Sequence, residues 1–371
     1  MADSVTAPPT SPLRHDPSVE HPEKDEAETE AALTETMLSI SETTFKDGGH
    51  GLRSVHAKSH GLLRGELRVL DGLPPVLAQG LAAKPGTYPV VIRLSTTPGD
   101  ILDDSVSAPR GMALKVVGVE GERLHGSEGD ATQDFVMANA PAFGAPNGKK
   151  FLGSLKLLAA TTDKAEGAKK VLSAALRGAE AVVEAFGGKS ATLMTMGGQP
   201  ETHILGETFY SQVPLLWGPY MAKVCVAPVS PELAALIDAS LNVNGKPNGI
   251  REAVVEFFRQ NGAEWELRVQ LCTDLDAMPI EDASVAWPED QSPYVAVARI
   301  SVPPQAAWSE ARSAAVDDGL AFSPWHSLAA HRPIGSIMRA RRMAYPQSAQ
   351  FRGERNGCPM EEPRPPVDLP G

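Results

Sequence analysis

Val90-Val91-Ile92-Arg93-Leu94-Ser95-Thr96, followed by Arg110-Gly111-Met112-Ala113-Leu114-Lys115, is the stretch on which the fold turns. Val90, Ile92 and Leu94 alternate with Val91 and Arg93, and Met112, Leu114 and Val116 alternate with Ala113 and Lys115. A period of two sends successive side chains to opposite faces, the mark of a half-buried strand. The same alternation occurs upstream, where Gly65, Leu67 and Val69 are interleaved with Arg64, Glu66 and Arg68. A fourth strand is predicted over 134–137, and others near 221–226, 265–271 and 294–302.

Helical periodicity falls between these strands. Leu33, Met37, Leu38 and Ile40 share a face within 27–45, and Gly48-Gly49 ends that run. Thr162 can cap a helix over 163–186 that buries Val171, Leu172, Ala175, Leu176, Val182 and Val183 and stops at Gly187-Gly188. A third helix is expected over 250–260, closed by Asn261-Gly262, and a last one from 334 to 343 or beyond, which Pro346 tends to end. Seven or so strands interrupted by helices imply an antiparallel barrel with helical insertions.

Composition narrows the function. Apolar residues are 42% of the 371, enough for a sizeable core. A net charge of −12 argues against nucleic acid or an anionic membrane as the main partner. No apolar run is long enough to span a bilayer, and no secretory signal is evident. Cys225, Cys272 and Cys358 are widely spaced and odd in number, which speaks against disulfides or a zinc site and fits a reducing, cytoplasmic setting. Residues 1–30 read as a flexible N-terminal arm, 31–352 as the folded domain, and the Pro- and charge-rich 353–371 as an exposed C-terminal tail. An arm and a tail of this kind make a homo-oligomer plausible.

Three local patterns carry chemistry. They are Arg53-Ser54-Val55-His56-Ala57-Lys58, the strand pair around Arg93 and Arg110, and Arg341-Arg342-Met343-Ala344-Tyr345-Pro346 with Arg352 beyond. Arg341 and Tyr345 are four apart and share a helix face. A guanidinium beside a phenol favours the phenolate, a hard anionic ligand suited to ferric iron. Taken singly, each pattern has a plain structural explanation, such as a strand-end histidine or a surface ion pair.

Together, and in this order, they resemble the heme catalases, and more closely the short catalase-related peroxidases. Val55-His56-Ala57-Lys58 resembles the distal histidine motif. Arg93-Leu94-Ser95-Thr96 and Pro109 to Lys115 resemble two family strands, and Asp134 to Phe143 resembles the distal asparagine segment. The resemblance covers roughly 45–151 and 335–352. It implies an α+β fold: a catalase-like antiparallel β-barrel with a helical flank and a wrapping segment, binding heme b. Tyr345 is then the iron ligand and Arg341 the residue that keeps it ionised. His56 is the acid–base, held by Ser95. Arg53, Arg93 and Arg352 would pair with the heme propionates, and Phe143 and Phe151 would flank the ring. The implied substrates are a peroxide and a small organic electron donor.

Two departures bear on activity. Without a gap, the slot of the distal asparagine holds Ala138, and Asn139 matches the next position, so either Asn139 reaches the iron or the amide is missing. Gly144 stands where the family has phenylalanine. Both changes favour a larger hydroperoxide, and loss of the amide should reduce hydrogen peroxide dismutation more than peroxidase turnover. The segment around His326 and His331 also departs from the usual pattern, and both histidines read as structural. Two rival readings are an isomerase of fatty-acid hydroperoxides on the same scaffold, and a heme carrier or sensor without turnover.

Overall fold

A computed structural model describes residues 7–9, 11–161 and 200–371. The helix expected over 163–186 lies outside the described residues. The strands are β1 (Lys58–Val69), β2 (Thr87–Thr96), β3 (Arg110–Val117), β4 (Thr132–Ala138), β5 (Phe209–Tyr210), β6 (Leu215–Trp217), β7 (Tyr220–Pro228), β8 (Ala263–Leu271) and β9 (Val295–Val302). The helices are α1 (Glu26–Gly48), α2 (Gly148–Thr161), the single turn α3 (Pro231–Ala234), α4 (Gly249–Gln260), the short α5 (Glu310–Ser313) and α6 (Ser336–Asn356).

Hydrogen bonds join the strands in the order β5-β4-β3-β2-β1-β9-β8-β7-β6, and β5 also pairs with β7. That last pairing closes an antiparallel barrel of eight strands, with β6 as a flap on β7. The alternation read in the sequence now has two destinations. Leu63, Ile92, Leu94, Met112 and Leu114 point inward and join Trp265, Val269 and Ile300 in one core. The opposite face of the same strands carries Leu62, Arg93, Ala113 and Val136, side by side in register. This outer face carries the site.

A helical layer packs beside it. Leu33, Met37 and Ile40 of α1, Leu155 of α2, and Ala340 and Ala344 of α6 form its seam. The small alanines allow the close approach. The sequence reading ended the last helix at Pro346, but α6 continues to Asn356. Pro346 faces solvent, so the carbonyl it leaves without a helical donor can meet water, while Ala349, Phe351 and Arg352 bury the turns beyond it.

The two chain ends also differ from expectation. From Leu13 the N-terminal segment is bonded to the body: Leu13 N–H donates to the Cys272 carbonyl and His15 N–H to that of Pro219, both at 2.8 Å. Glu20 then meets Arg332 and Arg339. The tail is a strap rather than a free end. Val367 and Leu369 pack on Leu62, Val91 and Val316, and Glu362 reaches the fully buried Lys115 at 2.7 Å. An ammonium excluded from water needs such partners, and Asp134 supplies the second at 2.9 Å.

Candidate functional site

His56 lies on the link between α1 and β1, with its backbone in the left-handed region at φ 53°. A non-glycine residue held there is strained, and strain of this kind persists only where the surroundings impose it. Here they do: Ser54 Oγ is 2.8 Å from Ser41 Oγ on α1, and Ala57 N–H donates to the Pro98 carbonyl at 3.0 Å. The imidazole is thereby set against the barrel. Ser95 Oγ lies 3.3 Å from His56 Nδ1. A methyl group on Gly111 would come within 2.7 Å of Nδ1, so the ring rests directly on the glycine backbone.

Burial, then the nearby charges of Arg93 and Arg341, lower the His56 pKa to about 3. The ring is neutral at ordinary pH and able to accept a proton. Arg341 of α6 therefore lies within electrostatic reach of the imidazole.

Ser95, Gly111 and Ala138 are paired across β2, β3 and β4, so their side-chain directions lie on one face. Because Gly111 and Ser95 meet His56, Ala138 shares that side. Asn139 is committed elsewhere: its Oδ1 accepts the Arg110 N–H at 3.0 Å and its Nδ2 donates to Glu207. Arg110 is itself paired with Glu207 and bonded to Thr202. Of the two possibilities left open by the sequence, the structure places an alanine beside the histidine and turns the Asn139 amide into the Arg110–Glu207 network.

Arg341, Tyr345, Ser348 and Arg352 share one face of α6. Ser348 Oγ lies 3.4 Å from Ser54 Oγ, and Val55 packs against the seam containing Ala340 and Ala344. This face therefore meets the segment that carries His56. Tyr345 is half-buried, and its phenol has no hydrogen-bond partner among the described residues. Arg341 shares the face of Tyr345, as the four-residue spacing requires, but its guanidinium sits 5.6 Å above the Phe143 ring instead of on the phenol. Phe143 and Phe151 make an edge-on pair at 5.0 Å beside it.

The three arginines converge, around a carboxylate that no motif announced. Asp317 Oδ1 accepts from Arg93 Nε at 2.6 Å and from Arg53 Nη1 at 3.1 Å. Its Oδ2 accepts from Ser59 at 2.7 Å and Ser313 at 2.9 Å. Arg352 donates to the Asp317 backbone carbonyl at 3.1 Å. Burial alone would raise the Asp317 carboxyl, but the guanidinium groups of Arg93 and Arg53 outweigh it and hold the pKa at about 2. Arg352 is 3% exposed, and its Nε has no partner. Arg53, Ser59, Arg251, Asp317 and Arg352 border a solvent-open cleft of about 100 Å³.

His326 and His331 are structural. His326 bridges Asp134 and Glu362 at 3.3 and 3.0 Å, and His331 accepts the Leu81 N–H while stacking on Trp217. Among the described residues no cluster of three or more His, Cys, Asp or Glu could hold a metal ion, and no helix is long and apolar enough to cross a membrane. The groups that are present suit another kind of iron site. A phenol without a partner among the described residues, a neutral imidazole on the segment that the same helix meets, two aromatic rings and buried guanidinium groups are the kinds of group that a flat apolar ring with its own iron and two carboxylates would need.

No protein-family model matches the chain, and no curated protein does. Solved structures do. A fungal catalase superposes with TM-score 0.57 at 19% identity, over 84% of this chain and 61% of its own. A bacterial catalase gives 0.58 at 18%, over 88% and 62%. Catalase A from Saccharomyces cerevisiae gives 0.57 at 19%, over 95% and 71%. The chain thus spans about three-fifths of the first two structures. At this identity the likeness establishes architecture: the protein has the catalase-like fold, a closed eight-stranded antiparallel barrel with a helical flank.

Proposed function

We propose that this protein is a heme b enzyme that reduces hydrogen peroxide or organic hydroperoxides at the expense of a small organic donor, as the short catalase-related peroxidases do. The observation that carries the reading is the neutral His56 imidazole, fixed by Ser95 and Gly111 and within electrostatic reach of Arg341 on α6. Tyr345 would hold the iron, Phe143 and Phe151 would flank the ring, and Arg53, Arg93 and Arg352 would receive its carboxylates. When bound, that group supplies the iron centre that takes up the oxidising equivalents of the O–O bond.

The remaining chemistry belongs to the chain. With Ser95 accepting from Nδ1–H, His56 Nε2 presents its lone pair to a peroxide. It takes the proton from one oxygen and returns it to the other, which leaves as water or an alcohol. Ala138 offers no hydrogen bond to the second oxygen. A second hydrogen peroxide, which must itself be oriented to act as donor, is handicapped more than an organic donor is. The same bare wall favours bulkier hydroperoxides, and so keeps their isomerisation as the second reading.

The test is an absorption spectrum of the purified protein before and after peroxide, followed by turnover with and without a phenolic donor. A high-spin ferric tyrosinate spectrum and donor-dependent turnover are expected. A colourless protein that takes up no added heme refutes the proposal. Consumption of a lipid hydroperoxide without any donor, giving an epoxide, replaces it with the isomerase reading.

A further inference from the structure

Asp317 sits where a ligand carboxylate would be expected to sit. It uses Arg93 Nε and Arg53 Nη1, and two hydroxyls, Ser59 and Ser313, complete its bonds. Three guanidinium groups gathered beneath one cleft repel one another; burial first, and then the charges of Arg352 and Arg93, hold the Arg53 pKa well below its usual value. A single buried carboxylate offsets part of that repulsion. The element that carries it is unusual: Ala314–Asp318 is a π-helical turn, closed by the Gly319 N–H on the Ala314 carbonyl at 3.2 Å. Such turns are rare and recur at functional sites.

We propose that Asp317 is a built-in placeholder, making on Arg53 and Arg93 the bonds that a bound dicarboxylate would make, so that such a ligand loads by displacing it. This rests on the heme reading only for the identity of the ligand. The placeholder holds together an otherwise repulsive cluster, and it weakens ligand binding because the ligand must compete with a tethered like charge. The Arg352 Nε, buried and without a partner, is a donor that the Asp317 carboxylate leaves unused.

The test uses the full chain freed of bound pigment and two metal-free probes: protoporphyrin IX, with two carboxylates, and its dimethyl ester. Without iron, Tyr345 ligation does not enter. In a fluorescence titration, Asp317→Asn should bind the diacid about tenfold more tightly than wild type and the diester equally. The melting temperature of the ligand-free variant should fall by several degrees. Ser313→Ala keeps every charge and removes one tether, so it should shift diacid affinity the same way by less; it also serves if Asp317→Asn does not fold. Equal or weaker diacid binding in both variants overturns the placeholder role while leaving the heme reading intact. Failure of wild type and variants alike to bind the diacid overturns both.

Discussion

Gly111→Ala is the sharpest perturbation of the site, because a single methyl group acts on one ring. The added carbon would lie 2.7 Å from His56 Nδ1, 2.8 Å from Cε1 and 3.2 Å from Ser95 Oγ. Comfortable contact begins near ~3.5 Å, so the imidazole must retreat by about 0.8 Å. The Ser95–His56 contact starts at 3.3 Å and so has little length to lose. Such a retreat breaks it, forfeiting about 1 kcal/mol, and overpacking adds roughly 1–3 kcal/mol. The link cannot yield easily, since His56 is already in the left-handed region and Val55 is packed on the helical seam. A proton acceptor displaced by about 1 Å loses on the order of 100-fold in rate. The assay is steady-state hydroperoxide reduction with a dye donor, alongside urea unfolding and a visible spectrum to confirm retained pigment. Ser95→Ala, which removes the bond without pushing the ring, should cost only about tenfold. A Gly111→Ala variant with wild-type turnover and an unchanged unfolding midpoint refutes the reasoning, since the ring would then not be where its function requires.

Other outcomes follow from the same geometry. His56→Ala should retain heme and lose turnover with every peroxide, so undiminished peroxide reduction by this variant overturns the assigned acid–base. Because the His56 pKa is lowered to about 3, the rate should hold from pH 7 down to about pH 5 without the acid limb of an ordinary imidazole near 6.5; a limb at 6.5 in the pH–rate profile contradicts it. Ala138→Asn should restore the missing donor and raise hydrogen peroxide dismutation about tenfold relative to donor oxidation, read as oxygen evolved; an unchanged ratio means that Ala138 does not face the peroxide. Glu362→Gln leaves buried Lys115 short of a counter-charge and should cost about 3 kcal/mol in urea unfolding at pH 7. The His326 pKa is raised to about 9 by its carboxylate partners, so its contribution is fully present below about pH 6.5 and lost as pH rises through 9. The stability gap between wild type and Glu362→Gln should therefore narrow between pH 8 and 10.

What the sequence disclosed depended on whether a residue acts through its neighbours in the chain. The barrel strands were legible because a two-residue period survives whatever the strand pairs with: Val90 to Leu94 and Met112 to Val116 fell where expected. His56, Ser95 and Arg341 to Tyr345 stood out as local patterns, and the fold brings their segments together. Pro346 misled because the local rule for proline ignores packing: α1 and α2 hold one side of α6, and the buried Phe351 and Arg352 extend it past the break. The tail misled for the opposite reason. Proline and charge read as exposure, yet Glu362 has a buried lysine to meet and Leu369 a covered strand face to fill.

Asp317 and Gly111 show where single-sequence reading runs out. An aspartate in Ala314-Ala315-Val316-Asp317-Asp318 has no periodic or motif signature, and its importance exists only once Arg53, Arg93 and Arg352 are brought around it from three separate places. Gly111 was visible within Pro109-Arg110-Gly111-Met112, and a strand glycine with no turn to explain it signals close approach by something else. That signal was present but did not name the approaching group. The same division bears on function. Groups proposed to hold a cofactor need only be present and convergent, and Arg53, Arg93, Arg341, Tyr345 and Arg352 were recognisable as a set, though not one by one. Groups proposed to set the balance between two peroxide reactions would act through which side of a strand they face. For Ala138 and Asn139 that is a difference of one residue, decided by the pairing of Ala138 with Gly111, and no property of either residue alone contains it.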